Sequence, residues 1–240
     1  MTARAAAVVL AAGSGKRMGA GVNKVFLPLG DRPVLGHTLQ IFESHPGIGR
    51  VVLVAAPGEE DHCLASVVEA LGLGKVTAVV PGGATRHRSE FLGLLALAGP
   101  IEAGEIDVVL IHDAARPFVA AGEIDDLIAT AARCGAAILA APADGDGILL
   151  QTADGRLEEP PAGLWAALTP QAFDARMVLE AHRAADGEGF EGTDTASVVE
   201  RRGTAVHVVE GSRRNIKITT REDLRHALRI LEGGTGDAPL

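Results

Sequence analysis

Tyrosine does not occur in this 240-residue chain, and aromatic residues together make up 3% of it. The interior therefore has to be filled by Ala, Val, Leu and Ile, which the 47% hydrophobic content supplies. Cysteine is scarce too. Cys63 and Cys134 are too few for a disulfide framework and lack metal-ligand spacing, so both read as buried, reduced thiols of a cytoplasmic protein. No apolar run approaches the ~20 residues that span a bilayer, and Met-Thr-Ala-Arg leads into a strand pattern rather than a cleavable signal peptide. An excess of basic residues is missing as well. The formal net charge is −9, which argues against nonspecific nucleic-acid binding, so any phosphate site has to be a local cluster of cations on an acidic body. Two common nucleotide-binding strings are also absent. Gly13-Ser-Gly-Lys-Arg-Met18 puts Met18 where the third glycine of a dinucleotide fingerprint belongs, and no P-loop string occurs.

What is present is organised around the stretch Val8 to Gly19 and the lysine that follows it. Ala5 to Leu10 is an unbroken apolar run of buried-strand length. It breaks into Gly13-Ser14-Gly15, where glycines let backbone N–H groups turn inward toward an anion. Arg17 and Lys24 add positive charge, a combination that suits a triphosphate. The pattern A-A-G-x-G-x-R-M followed by a lysine resembles the sugar-nucleotidyltransferase superfamily. Its members move a nucleoside monophosphate from an NTP to a phosphorylated acceptor.

Strand and helix patterns then alternate. Helices are expected from Pro33, over 59–71, around Phe91 to Ala98, and over Ala121 to Cys134; strands over 50–56, 76–80, 107–111 and 136–141. This rhythm predicts an α/β fold: a Rossmann-like, mixed but mostly parallel sheet with helices on both faces, its glycine-rich and charged breaks converging beyond the strands' carboxyl ends. The rhythm changes after Pro142. Asp154-Gly155 marks a hairpin turn, which predicts a protruding β-hairpin arm over about 147–160. Because an isolated hairpin is marginal in water, it is expected to pack against a second subunit. A further strand is expected over 205–209. Thr220 caps a last helix whose Leu224, Leu228 and Leu231 face the core. Residues 1–232 read as a single domain and 233–240 as a disordered tail.

Further strings narrow the function: Gly82-Gly-Ala-Thr-Arg86 with Ser89, His112-Asp-Ala-Ala-Arg-Pro117, Leu168-Thr-Pro-Gln171, Thr193-Asp194 and Asn215-Ile-Lys-Ile-Thr219. Together with the first loop they resemble the 2-C-methyl-D-erythritol 4-phosphate cytidylyltransferase family of non-mevalonate isoprenoid biosynthesis, over nearly the whole chain. The resemblance implies the nucleotidyltransferase fold and transfer of CMP from CTP to the polyol phosphate with release of pyrophosphate. It implies that Arg17, Lys24 and Lys217 act on the phosphates, and that Ala11, Ala12, Gly13, Ser14, Gly15, Gly83, Ala84, Ser89 and Ala114 bind the nucleotide. Asp113, Arg116, Thr169 and Thr193 would bind the acceptor. Mg²⁺ would be held mainly by the CTP phosphates, with no protein metal site. A cytoplasmic homodimer joined through the arm, with neither nucleic acid nor membrane as partner, completes the expectation.

The chain departs from the family pattern on the acceptor side. A D-T-[IM]-K-[RK] string is replaced by Ala143-Asp-Gly-Asp-Gly-Ile-Leu-Leu150, and no cation precedes Gly163-Leu-Trp165 where the family's arm places an arginine. The usual Pro-Lys is Asn23-Lys24, and His87-Arg88 replaces an acidic residue before Ser89. Two other readings follow: a cytidylyltransferase for another polyol phosphate, and a non-catalytic nucleotide-binding relative.

Overall fold

A computed structural model of the protein describes residues 3–13, 23–143, 150–151, 156–158 and 163–233. Ser14, Gly15, Arg17, most of the arm and the tail lie outside these residues. In chain order the elements begin with β1 (Ala5–Leu10), a 3₁₀ turn (Lys24–Phe26), and a short β2–β3 ribbon (Pro28–Leu29 and Arg32–Pro33). Then come α1 (Val34–Ser44), β4 (Ile48–Ala55), α2 (Glu60–Cys63) continued by a π-type turn over Leu64–Glu69, and β5 (Val76–Pro81). Next are α3 (Arg86–Ala96), α4 (Ala98–Glu102), β6 (Val108–Asp113), α5 (Ala121–Cys134) and β7 (Ala136–Pro142). The arm contributes β8 (Leu150–Gln151) and β9 (Leu157–Glu158), paired antiparallel. The chain closes with β10 (Trp165–Asp174), α6 (Ala175–Glu188), α7 (Thr195–Arg201), β11 (His207–Glu210) and α8 (Arg221–Leu231).

Seven strands form one sheet in the order β11-β7-β10-β6-β1-β4-β5. β1 runs parallel to both β4 and β6, β4 to β5, and β11 to β7, whereas β10 is antiparallel to its neighbours β6 and β7. The mixed, mostly parallel sheet is the one expected. From β1 the chain moves outward through β4 to the edge strand β5, then crosses back to β6 on β1's other side. That reversal makes the crevice between the carboxyl ends of β1 and β6 the topological switch point, where sheets of this kind bind ligands.

Both faces of the sheet are covered, and β1 shows why its sequence is apolar without alternation. Ala7 and Val9 pack toward α1, α2 and α5, while Ala6 and Val8 pack toward α3, α4, α6 and α7. A strand buried on both sides has no solvent face to mark. One aromatic ring is fully buried on each face, Phe42 on α1 and Phe173 on β10. Truncating either to Ala removes about 3–5 kcal/mol, a large share of a typical domain's stability.

Caps fix the helix starts. Thr220 Oγ1 accepts from Asp223 N–H at 3.1 Å, and Asp223 Oδ2 accepts from Thr220 N–H at 2.8 Å. Along α8 the buried residues are Ala227 and Ile230. Leu224 and Leu228 pack partly, but Leu231 is 40% exposed, so the expectation that it faces the core is corrected. α8 sits at the rim on a small satellite cluster with Leu29, Val34 and Ile218, too narrow to cover a three-leucine stripe. Likewise only Cys63 is buried; Cys134, the last residue of α5, is half-exposed.

Candidate active site

Leu10 and Asp113, the last residues of β1 and β6, are register partners, and a cleft of about 440 Å³ opens beyond them. Its walls come from five segments. Leu10 to Gly13 follow β1; Lys24 and Val25 begin the 3₁₀ turn; Gly83 to Arg86 and Ser89 follow β5; Asp113 and Ala115 end β6; Lys217 and Thr219 precede α8.

One wall is small and tightly packed. Ala11 N–H donates to the Val54 carbonyl at 2.7 Å and Gly82 N–H to the Ala55 carbonyl at 2.8 Å, which draws the two loops together. A Cβ on Gly82 would meet the Ala12 Cβ at 2.4 Å, so only glycine permits the approach. Ser89 braces the same loop: its Oγ donates to the Thr85 carbonyl at 2.9 Å and accepts from Gly83 N–H at 3.1 Å. With the hydroxyl proton engaged, its remaining capacity is one acceptor lone pair. Thr85 N-caps α3 by accepting from Arg88 N–H at 3.1 Å. Across the cleft, buried Asn23 donates from Nδ2 to the Ala11 carbonyl at 3.1 Å and to Glu59 Oε2 at 2.8 Å. It thereby fixes the segment that carries Lys24.

The other wall is ionic. Asp113 Oδ2 lies 2.7 Å from Lys217 Nζ and its Oδ1 lies 3.3 Å from Arg86 Nη2, with Arg116 Nε at 3.9 Å from Oδ2. Burial alone would raise this carboxyl, but Arg86, Lys217 and Arg116 together hold it well below the usual carboxylate range. Behind it runs a chain of hydrogen bonds. Asp113 N–H donates to Thr169 Oγ1 at 3.1 Å, and Thr169 Oγ1 sits 3.1 Å from His112 Nδ1. His112 Nε2 faces the Arg116 carbonyl at 3.0 Å, which places the ring proton on Nε2 and leaves Nδ1 to accept from the threonine. Burial pulls His112 down to about 4, so the ring is neutral. Arg116 Nη1 donates to the Asn215 carbonyl at 2.7 Å, and Asn215 Nδ2 donates to the Thr169 carbonyl at 2.8 Å. These bonds tie β6, β10 and the Lys217 loop into one unit.

The residues singled out by sequence therefore divide. Ala11, Ala12, Gly13, Lys24, Gly83, Ala84, Ser89, Asp113 and Lys217 meet in the cleft. Ala114 does not line it: the residue is fully buried, its carbonyl accepting from Thr38 Oγ1 at 2.8 Å, and Ala115 takes the lining position. Arg116 and Thr169 stand behind Asp113 rather than in the wall, and Thr193 is exposed outside it. Arg86 and Thr219, which sequence reading quoted within strings without a role, are in the wall.

Chemically, the described lining contains no histidine or cysteine, and the nearby imidazole of His112 has both nitrogens engaged. Among the described lining residues no imidazole or thiol is available as nucleophile or general base. Lysines and arginines outnumber the carboxylate, which suits reactions limited by negative charge.

Sequence comparison gives the same picture along the whole chain. Residues 5–233 match the model of the 2-C-methyl-D-erythritol 4-phosphate cytidylyltransferase family. The chain is similar to the protein of that name from Syntrophotalea carbinolica, 45% identical over 227 residues that cover 94% of this chain and 95% of the relative. Its namesake from Pelotomaculum thermopropionicum is 42% identical over 240 residues, covering 97% and 96%. Among solved structures, the 4-diphosphocytidyl-2C-methyl-D-erythritol synthase of Anaerococcus prevotii superposes with a TM-score of 0.80 at 28% identity, over 96% of this chain and 97% of that one. The Thermus thermophilus 2-C-methyl-D-erythritol 4-phosphate cytidylyltransferase superposes with a TM-score of 0.72 at 32% identity, over 94% and 98%.

Proposed function

The chain belongs to the 2-C-methyl-D-erythritol 4-phosphate cytidylyltransferase family, and on that premise we propose that it transfers CMP from CTP to 2-C-methyl-D-erythritol 4-phosphate. The products are 4-diphosphocytidyl-2-C-methyl-D-erythritol and pyrophosphate. The observation that carries this reading is the convergence of Lys24, Asp113 and Lys217 with the Gly83–Ser89 wall in one cleft at the switch point.

An acceptor phosphate oxygen attacks the α-phosphorus of CTP in line. The new P–O bond forms as the bond to the bridging oxygen breaks, and pyrophosphate leaves. No side-chain nucleophile is required, so rate comes from positioning and from cations that meet the spreading negative charge. Lys24 and Lys217, both in the cleft lining, take that role, and the family resemblance adds Arg17, which lies outside the described residues. The narrow wall of Ala11, Ala12, Gly83 and Ala84 admits a pyrimidine, with Gly13 beside it in the lining; Ser14 and Gly15, assigned to the phosphates by the family resemblance, lie outside the described residues. The spare lone pair of Ser89 matches the amine of cytosine, where uracil has an acceptor. Asp113, held ionised by its three cations, receives acceptor hydroxyls. Arg116 and Thr169 fix its orientation from behind, and Thr193 borders the acceptor side.

Asp113 is the one carboxylate in the described lining and is already bound by Lys217 and Arg86. The residues present thus fit Mg²⁺ carried in on the triphosphate, held by phosphate oxygens and water. Bound there, the ion neutralises phosphate charge. The β8–β9 pair and Trp165, 41% exposed at the start of β10, form the surface for a homodimer. Among the described residues no helix is long and apolar enough to cross a membrane, and the enzyme works in the cytoplasm.

Incubation of the full chain with CTP, the polyol phosphate and Mg²⁺ tests the reading by mass spectrometry. The diphosphocytidyl product and pyrophosphate should form in equal amounts. CTP consumption without that product, or no consumption, would overturn it.

A further inference from the structure

On the side of Arg86 away from Asp113, three side chains with ligating atoms meet between α3 and α6. His87 and Glu90 stand one turn apart on α3, and His182 comes from α6. The two imidazole rings stack with centroids 4.9 Å apart and planes 15° from parallel. One ligating atom from each residue lies within 4.8 Å of the other two. His182 and Glu90 are fully buried and His87 is 6% exposed.

All four ring nitrogens and Glu90 Oε2 lack a hydrogen-bond partner at normal geometry. Buried polar atoms are nearly always satisfied, and a concentration of orphans at one point implies an absent partner common to them. Their chemistry identifies it. Two buried imidazoles with unpartnered ring nitrogens stand beside a carboxylate, and imidazole nitrogen and carboxylate oxygen are both ordinary metal ligands. Glu90 Oε1 is held by Arg86, whose Nη2 reaches Asp113 at 3.3 Å. Glu90 is thus fixed by Arg86, the outer-shell support that ligating carboxylates show, and one of its oxygens lies within 4.8 Å of a ring nitrogen of each imidazole. Two nitrogens and one oxygen form a donor set for zinc, whereas Mg²⁺ and Ca²⁺ favour oxygen alone.

We propose that His87, Glu90 and His182 bind one Zn²⁺ per chain, a staple between α3 and α6 that also fixes Glu90 and, through it, Arg86 at the edge of the cleft. Tetrahedral zinc with bonds of about 2.0–2.1 Å needs ligand atoms roughly 3.4 Å apart, so when the ion enters the three side chains close by on the order of 1 Å and the imidazoles turn from their 15° alignment until their in-plane lone pairs converge. None of the three lines the cleft, so the proposal stands or falls apart from the reaction. Its residues also lie outside the strings that carry the family resemblance, apart from the histidine that departs from the pattern before Ser89.

The test is Zn²⁺ loading of the full chain, dialysis against metal-free buffer and elemental analysis, with competition titration for the Kd. The result expected is one zinc per chain. In Glu90→Gln and in His182→Asn the Kd rises by about a hundredfold or more, and Cys134→Ser is unaffected. Should a variant fail to fold, Co²⁺ in the wild-type chain decides. Four-coordinate ligand-field bands without a thiolate charge-transfer band support the site. A six-coordinate spectrum, a thiolate band, trace zinc in the loaded wild type, or unchanged affinity in folded variants would overturn it.

Discussion

Lys217 Nζ stands 2.7 Å from Asp113 Oδ2, joining the loop before α8 to the carboxyl end of β6 in one wall of the cleft. The lysine side chain is 40% exposed while the aspartate is nearly buried. Arg86 remains on Asp113 when the lysine is removed, so the carboxylate stays paired. Lys217→Ala is therefore expected to keep the fold and lower kcat by about a hundredfold or more, the usual loss for one contact realised in the transition state. The same holds for Lys24→Ala. Steady-state pyrophosphate release with circular dichroism checks both, and near-wild-type turnover in either would remove that lysine from the α-phosphate.

The wall around Gly82 and Ser89 sets nucleotide choice. CTP is expected to raise the melting temperature more than UTP, ATP or GTP in the presence of Mg²⁺. At a hundred times its Kd a ligand adds about 2.7 kcal/mol of stability. In Gly82→Ala the new methyl meets Ala12 at 2.4 Å and must displace the loop, so the CTP-induced shift should shrink. An equal or larger shift with a purine nucleotide would refute the pyrimidine assignment.

His112 makes a pH prediction. Its folded value is pulled by burial to about 4, while an unfolded histidine titrates near 6.5. Between these values the unfolded chain holds a proton that the folded chain does not. The group's contribution is complete above about 6.5 and is lost as pH falls toward 4, by up to about 1.4 kcal/mol per pH unit. Denaturant unfolding across this window should show a slope that His112→Gln reduces by about one proton. Equal slopes in both chains would place the ring in contact with water.

Local pattern made much of this fold legible, and its limits have physical causes. β1 and α5 follow from an unbroken apolar run and a helical stripe, and their bounds match the expectation. β10 escaped because Pro170 sits in its middle, where a proline argues against a central strand. The ladder yields there: pairing with β7 skips from Ala167 to Gln171. α6 and α7 were not anticipated either; the buried face of α6 is largely alanine, a weak apolar stripe. In the cleft, Asp113 and Lys217 were legible as members of strings. Arg86 and Asn23 stood in such strings as well, but their roles were not legible, because their bonds depend on where α3 begins and on how close Ala11 comes. The His87–Glu90–His182 cluster joins positions nearly a hundred apart in sequence, a proximity that no local pattern encodes.

Arg213 bears on the cations missing from 143–150. Its Nη2 lies 3.5 Å from the Pro142 carbonyl, at the end of β7 just before that stretch. Arg213→Ala is expected to raise KM for the acceptor phosphate by about tenfold or more, the worth of one charge-assisted hydrogen bond, with KM for CTP unchanged. Arg156, exposed in the arm, is the alternative donor. An effect in Arg156→Ala alone would move the acceptor phosphate from β7 to the arm.

The central claim is that this cleft transfers CMP to methylerythritol phosphate although the acceptor side departs from its family. The most direct measurement is kcat/KM for pyrophosphate release from CTP and Mg²⁺ across a panel of polyol and sugar phosphates. The account predicts the highest value with 2-C-methyl-D-erythritol 4-phosphate. A higher value with another polyol phosphate, or no pyrophosphate with methylerythritol phosphate while CTP binds, would contradict it.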